Sequence, residues 1–204
     1  MRRLSRRQRV LVGCAVACCA MGLHQAHAAT REFSEEVKAV LDKKIETLNI
    51  LAADPVIVQA VQDSNSKTHG VPLNDVLALD RKWIAKDKEV ETLVKELLTN
   101  ACAEHLIAFQ DAHDGYPETF VADAQGVNAC MTNRTSDYYQ ADEDWWVQGY
   151  GDGRGKTFYG QIEFDQSAMS ESIPVLLPIR DPQTAQAIGV MKVIVDITAI
   201  KREL

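Results

Sequence analysis

The hydrophobic period of this chain changes once, near residue 116, and that change limits the possible folds more than any single motif. Before it, apolar residues recur at intervals of three and four. From Ser34 onward, Val37, Leu41, Ile45, Leu48 and Ala52 mark one helical face, while Glu35, Glu36, Lys38, Asp42, Lys43 and Lys44 fall largely on the other. This spacing predicts a long amphipathic helix capped by Ser34. Asp54-Pro55 marks a restart, because Asp accepts the free amide hydrogens of a first turn and Pro has the right φ and no donor to lose. A short helix to about Gln62 follows. The stretch Asp63-Ser-Asn-Ser-Lys-Thr-His-Gly70 has turn chemistry and reads as a solvated loop. Asn74 can cap a further helical region through Val76, Leu79 and Trp83 to Leu98, with a break near Lys86-Asp87-Lys88 left open. Thr99 or Asn100 can open another helix, Ala101 to about Asp111.

After residue 116 the pattern is that of strands. Glu118 to Val121 and Val127 to Met131 flank Ala122-Asp-Ala-Gln-Gly126, which suits a tight hairpin. Phe158, Gly160, Ile162 and Phe164 alternate with Tyr159, Gln161 and Glu163. Ile173 to Ile179 alternate again, and a nearly continuous apolar run from Ile188 to Ile197 fits a central strand covered on both faces. The expected fold is α+β: a long N-terminal helix and further helices, residues 31–112, packed on a five-stranded antiparallel sheet within residues 116–200.

The first residues have the parts of a secretory signal: five Arg by position 9, an apolar run from Val10 to Leu23 and the small-x-small end Ala26-His27-Ala28. Cleavage after Ala28 is expected, leaving 29–204 as one domain. The alternative is an uncleaved anchor, but fourteen apolar residues fall short of the roughly 20 that a spanning helix needs. Export would place the protein in the periplasm or outside the cell. Removing residues 1–28 moves the formal charge from −7 to −12. Such an acidic chain repels phosphates, which argues against nucleic acid as a partner. Three of the five cysteines leave with the signal. The remaining two, Cys102 and Cys130, either form a disulfide in an oxidising compartment or stay as separately buried thiols.

The order helix, hairpin, helical insert and three more antiparallel strands resembles the extracytoplasmic Cache (PDC sensor, PAS-like) domains. The segments FVADAQGVNACMTNRTSDYYQADEDWW (Phe120 to Trp146), YGQIEFDQSAMSESIPVLLPIRD (Tyr159 to Asp181) and AIGVMKVIVDI (Ala187 to Ile197) carry that resemblance, which is strongest from residue 118 onward. It implies ligand binding and signal transduction, with a membrane receptor or kinase as a partner. Many such domains continue into a second membrane span. The sequence ends at Lys201-Arg-Glu-Leu204, so no output domain of its own is expected. In the amino-acid-binding members an Arg before a Trp-Tyr pair holds the ligand carboxylate, and an Asp ending the third strand holds the ammonium. The matching places here are Glu143-Asp144-Trp145-Trp146 and Asp165. With the base lost and the acid kept, the resemblance implies a neutral polar or cationic ligand.

The expected site lies between the sheet and the insert at 134–146. Asp165 is its anchor, Trp145, Trp146, Tyr138, Tyr139 and Tyr159 are its walls, and Asp137, Arg134 and Ser167 are further polar groups. The four insert aromatics could equally be core packing, and one Trp is assigned to each role. Asp137, Asp142, Glu143 and Asp144 could attract a cation, but their spacing does not match a calcium loop. Asp142 capping a helix at 143–149 accounts for them as well. Glu104-His105 and His113-Asp114 lack further ligands at metal spacing, and no nucleophile elbow surrounds Ser167 or Ser170. No enzyme activity, metal or cofactor is therefore expected. The competing function is a structural or interaction module of the same fold with its pocket filled.

Overall fold

A computed structural model describes residues 33–165 and 170–204. Its helices are α1 (Glu35–Ala52), α2 (Pro55–Thr68), α3 (Leu73–Ile84), α4 (Glu91–Thr99), α5 (Ala101–Ala112), α6 (Asp144–Tyr150) and α7 (Ile197–Arg202). The strands are β1 (Glu118–Asp123), β2 (Asn128–Met131), β3 (Phe158–Tyr159), β4 (Glu163–Asp165), β5 (Ser170–Arg180) and β6 (Ala187–Asp196). All pairings are antiparallel, in the order β2-β1-β6-β5-β3, and β4 lies beside β5 as well. Because β3 and β4 share β5 as neighbour, the sheet has five strand positions, the last of them broken.

The two faces of the sheet follow from strand alternation. Val121, Cys130, Val175, Leu177, Met191 and Val193 belong to the main core with Leu41, Leu48, Ile57 and Leu106 of the N-terminal helices. Phe120, Ala122 and Val190 point the other way, towards the segment that joins β2 to α6 and α6 itself. Strand β6 is buried on both faces along most of its length, as its apolar run requires. Gly189 lets α2 approach, since a Cβ there would come within 2.8 Å of Val61 and 2.5 Å of the Ala122 carbonyl oxygen.

Local chemistry set three helix starts as expected. Ser34 accepts from the Val37 amide, Asp54 from Val56, and Asn100 from Ala103. Five boundaries differ. Helix α2 continues through the stretch expected to be a loop, because its polar side chains have tertiary partners. Ser64 and Thr68 donate to Asp123 Oδ2 at 2.9 and 2.8 Å, and Asn65 donates to the Ile188 carbonyl while accepting from the Ala124 amide. Pro72, not Asn74, precedes α3. Helix α6 begins one residue late, and Glu143, not Asp142, holds its capping position without a side-chain bond. The strand expected over 158–164 splits because its neighbour at that point is Pro174, which has no N–H to return. Gly160 donates to the Pro174 carbonyl at 2.8 Å, and the register then slips by one residue. Finally, Asp196 ends β6 by accepting from the Thr198 amide, so Ile197 opens α7.

Candidate functional site

A cavity of about 420 Å³ lies between the sheet and the segment that follows β2. Its sheet wall comes from one face of β1 and β6: Glu118 opposite Ile194, and Phe120 opposite Lys192. Its other wall comes from Arg134, Ser136, Asp137, Gln140, Glu143 and Trp145. The Lys192 ammonium stands 5.0 Å from the centre of the Trp145 ring and 5.8 Å from that of Phe120, and those two rings meet edge to face at 5.6 Å. A half-buried lysine on a two-faced core strand is held this way by ring faces, with its charge directed into the space under the insert.

The insert wall is fixed by bonds from three directions. Asp80 on α3 accepts from the amides of Tyr138 and Tyr139 at 2.8 and 3.0 Å. Trp83 Nε1 donates to the Thr135 carbonyl at 2.9 Å. Asn128 Nδ2 donates to Thr135 Oγ1 at 2.7 Å and to the Asp137 carbonyl at 3.0 Å. Arg134 closes the set: Nη1 donates to Glu91 and Nη2 to the Trp83 carbonyl, both at 2.9 Å, with the guanidinium 5.1 Å over the Trp83 ring. Its charge is thus spent on α3 and α4 while its edge borders the cavity. Burial raises the pKa of the Asp137 carboxyl, opposed by the bond it accepts from Gln140 Nε2 at 2.6 Å.

Of the residues expected at the site, Arg134, Asp137 and Trp145 border this cavity. Trp146 is buried against Ala122 and Val190, stacks on Tyr150 at 4.8 Å and donates to the Asp123 carbonyl. Tyr138 packs on Trp83 at 5.5 Å, towards α3 and away from the cavity, and burial pushes its phenol pKa up. Tyr139 is half-buried beside it and bridges Val127. Tyr159 lies opposite Val175, on the face of the main core, next to Phe33 at 5.7 Å. The Asp165 side chain and Ser167 lie outside the described residues. Glu118, Gln140 and Lys192 border the cavity without having been expected. Lys192 had a signal in the sequence: it is the one charge inside the apolar run from Ile188 to Val195. Among the described residues no group of three His, Cys, Asp or Glu could hold a metal ion. Cys102 and Cys130 are bonded, with Cα atoms 5.9 Å apart, tying α5 to β2.

Helices first, then a hairpin, a helical insert and three more antiparallel strand positions form an α+β domain with the element order that the sequence resemblance implies. No family model and no curated protein matches the chain. Solved extracytoplasmic sensor domains are similar in fold. The Escherichia coli DcuS sensor domain matches with a TM-score of 0.44 at 14% identity, over 83% of this chain and 98% of that one. The ligand-binding domain of the Campylobacter jejuni chemoreceptor Tlp3, in complex with 4-methylisoleucine, matches with 0.41 at 13% identity, over 83% of this chain. The Vibrio cholerae histidine kinase DctB sensor domain matches with 0.37 at 14%, over 82%. The chain spans 63% and 60% of the latter two.

Proposed function

We propose that this protein is an exported sensor module that binds a small polar molecule in the cavity under the insert and passes its bound state to a membrane receptor or kinase. The observation that carries this reading is the cavity itself: an open space of about 420 Å³ with a lysine on its sheet wall and carboxylates around it. That volume is within the roughly 300–1,000 Å³ of ligand pockets. It disfavours the alternative of a module whose pocket is filled by its own side chains.

The lining also refines the ligand class. Lys192 supplies the cation that the changed Arg position lacks, while Glu118, Asp137 and Glu143 supply acids. A ligand with an anionic oxygen for Lys192 and an amine or hydroxyls for the acids fits this lining better than a simple cation. Asp165 remains a proposed contact from the sequence. A thermal-shift screen against a metabolite library tests the reading, since a binder raises the melting point by mass action. Ser136→Trp serves as the control, because Ser136 is exposed and a ring there would fill the cavity. The expected result is a compound that stabilises the natural protein and leaves Ser136→Trp unchanged. Equal stabilisation of both, or none by any metabolite, would overturn it.

A further inference from the structure

We propose that the groove between α2, α4, α5 and β2 is a second binding site, for a compact apolar molecule that carries one hydrogen-bond donor and no negative charge. The groove holds about 530 Å³ and shares no lining residue with the cavity under the insert. Val56 and Ala60 of α2 face Leu93 and Leu97 of α4 across it, so its walls favour an apolar body.

The donor requirement comes from Asn128, which lines the groove and is 1% exposed. Its Nδ2 is committed to Thr135 and Asp137, on the side of the insert. Its Oδ1 has no hydrogen-bond partner among the described residues. Turning the amide over would set Oδ1 against the Asp137 carbonyl oxygen, and two acceptors cannot bond, so the nitrogen belongs where it stands. A buried acceptor without a donor is destabilising, and a ligand donor that reaches it recovers that loss. Oδ1 is closed to water as the structure stands, so a donor reaches it only when side chains that line the groove part.

The charge requirement comes from the rim. Asp63 and Glu96 stand there with Lys67, which is already paired with Glu96 at 3.2 Å. An anion would meet net negative charge. The Lys67–Glu96 pair also straps α2 to α4, yet its side chains are 73% and 53% exposed, so the strap opens easily.

Phenol and its methyl ether anisole separate body from donor. Protein purified from an exporting host is titrated with each, and binding is followed by NMR at the Asn128 side-chain amide and the Leu93 and Leu97 methyls. Phenol is expected to shift these signals saturably, and anisole to bind at least about fivefold more weakly, the worth of one hydrogen bond. Gln59→Trp, which plugs the groove from an exposed helix position, is expected to abolish both responses. Equal binding of the two probes, shifts confined to residues 134–145, or no shift at the solubility limit would each overturn the proposal.

Discussion

Asp123 is fully buried at the end of β1 and accepts four hydrogen bonds: Ser64 and Thr68 hydroxyls at Oδ2, and the Gln125 and Val127 amides at Oδ1. Burial raises its pKa, against the pull of those bonds. The acceptor Oδ1, rather than the charge, holds the hairpin turn together, and Oδ2 links that turn to α2. Asp123→Asn keeps Oδ1 for both amides and turns Nδ2 towards two hydroxyl oxygens. Thr68 then has other acceptors in the Ser64 and Asn65 carbonyls. Asp123→Ala leaves both amides without an acceptor, at about 1–3 kcal/mol each, so a loss of about 2–6 kcal/mol is expected. Asp123→Asn should stay within about 1 kcal/mol of the natural protein at pH 7, because it removes a desolvated charge. The pH dependence has a definite sign. A carboxyl whose folded pKa lies above its ordinary 3.8 holds its proton longer in the folded state. Its contribution to stability therefore falls as pH rises from near that ordinary value through the raised one. Urea unfolding of the three proteins from pH 4 to pH 7 measures both effects. If Asp123→Asn were as damaging as Asp123→Ala, or kept the same pH slope as the natural protein, the reasoning would be refuted.

Other outcomes follow from single contacts. Free-thiol titration of denatured, unreduced protein should find none at Cys102 and Cys130, and replacing both by Ala should cost about 2–4 kcal/mol in urea unfolding. Asp80→Ala should leave the Tyr138 and Tyr139 amides without their acceptor, lowering stability by about 2–5 kcal/mol and loosening the insert in hydrogen exchange. N-terminal sequencing of protein from the native host should begin at or near Ala29, and recovery of residues 10–23 in the mature product would contradict export by cleavage.

Where a pattern is local, the sequence showed it. The two periods placed the helices before residue 116 and the sheet after it, because burial of one helical face or one strand face is written in adjacent residues. The continuation of α2 was hidden, since Ser64 and Thr68 become helix residues through Asp123, 59 and 55 positions away. The same limit explains the site. Tyr138 and Tyr139 are expected as walls of the cavity under the insert, but Asp80 fixes the backbone there, and Tyr138 is directed onto Trp83 and borders the groove beside α2 instead. The sequence pattern points Tyr159 to the ligand, yet pairing with Val175 puts it on the face of the main core. Lys192 is legible in the sequence, since a single charge in a two-faced buried strand needs a polar space or a ring to meet it.

The proposed binding of a ligand through Lys192 in the cavity under the insert can be measured by calorimetric titration. The compound that raises the melting point would be titrated into the natural protein and into Lys192→Ala. The expected result is one binding site per chain and a loss of about 1.5–3 kcal/mol in the variant, the range for hydrogen bonds to charged groups, with the fold intact by circular dichroism. Unchanged affinity in a folded Lys192→Ala protein would contradict it.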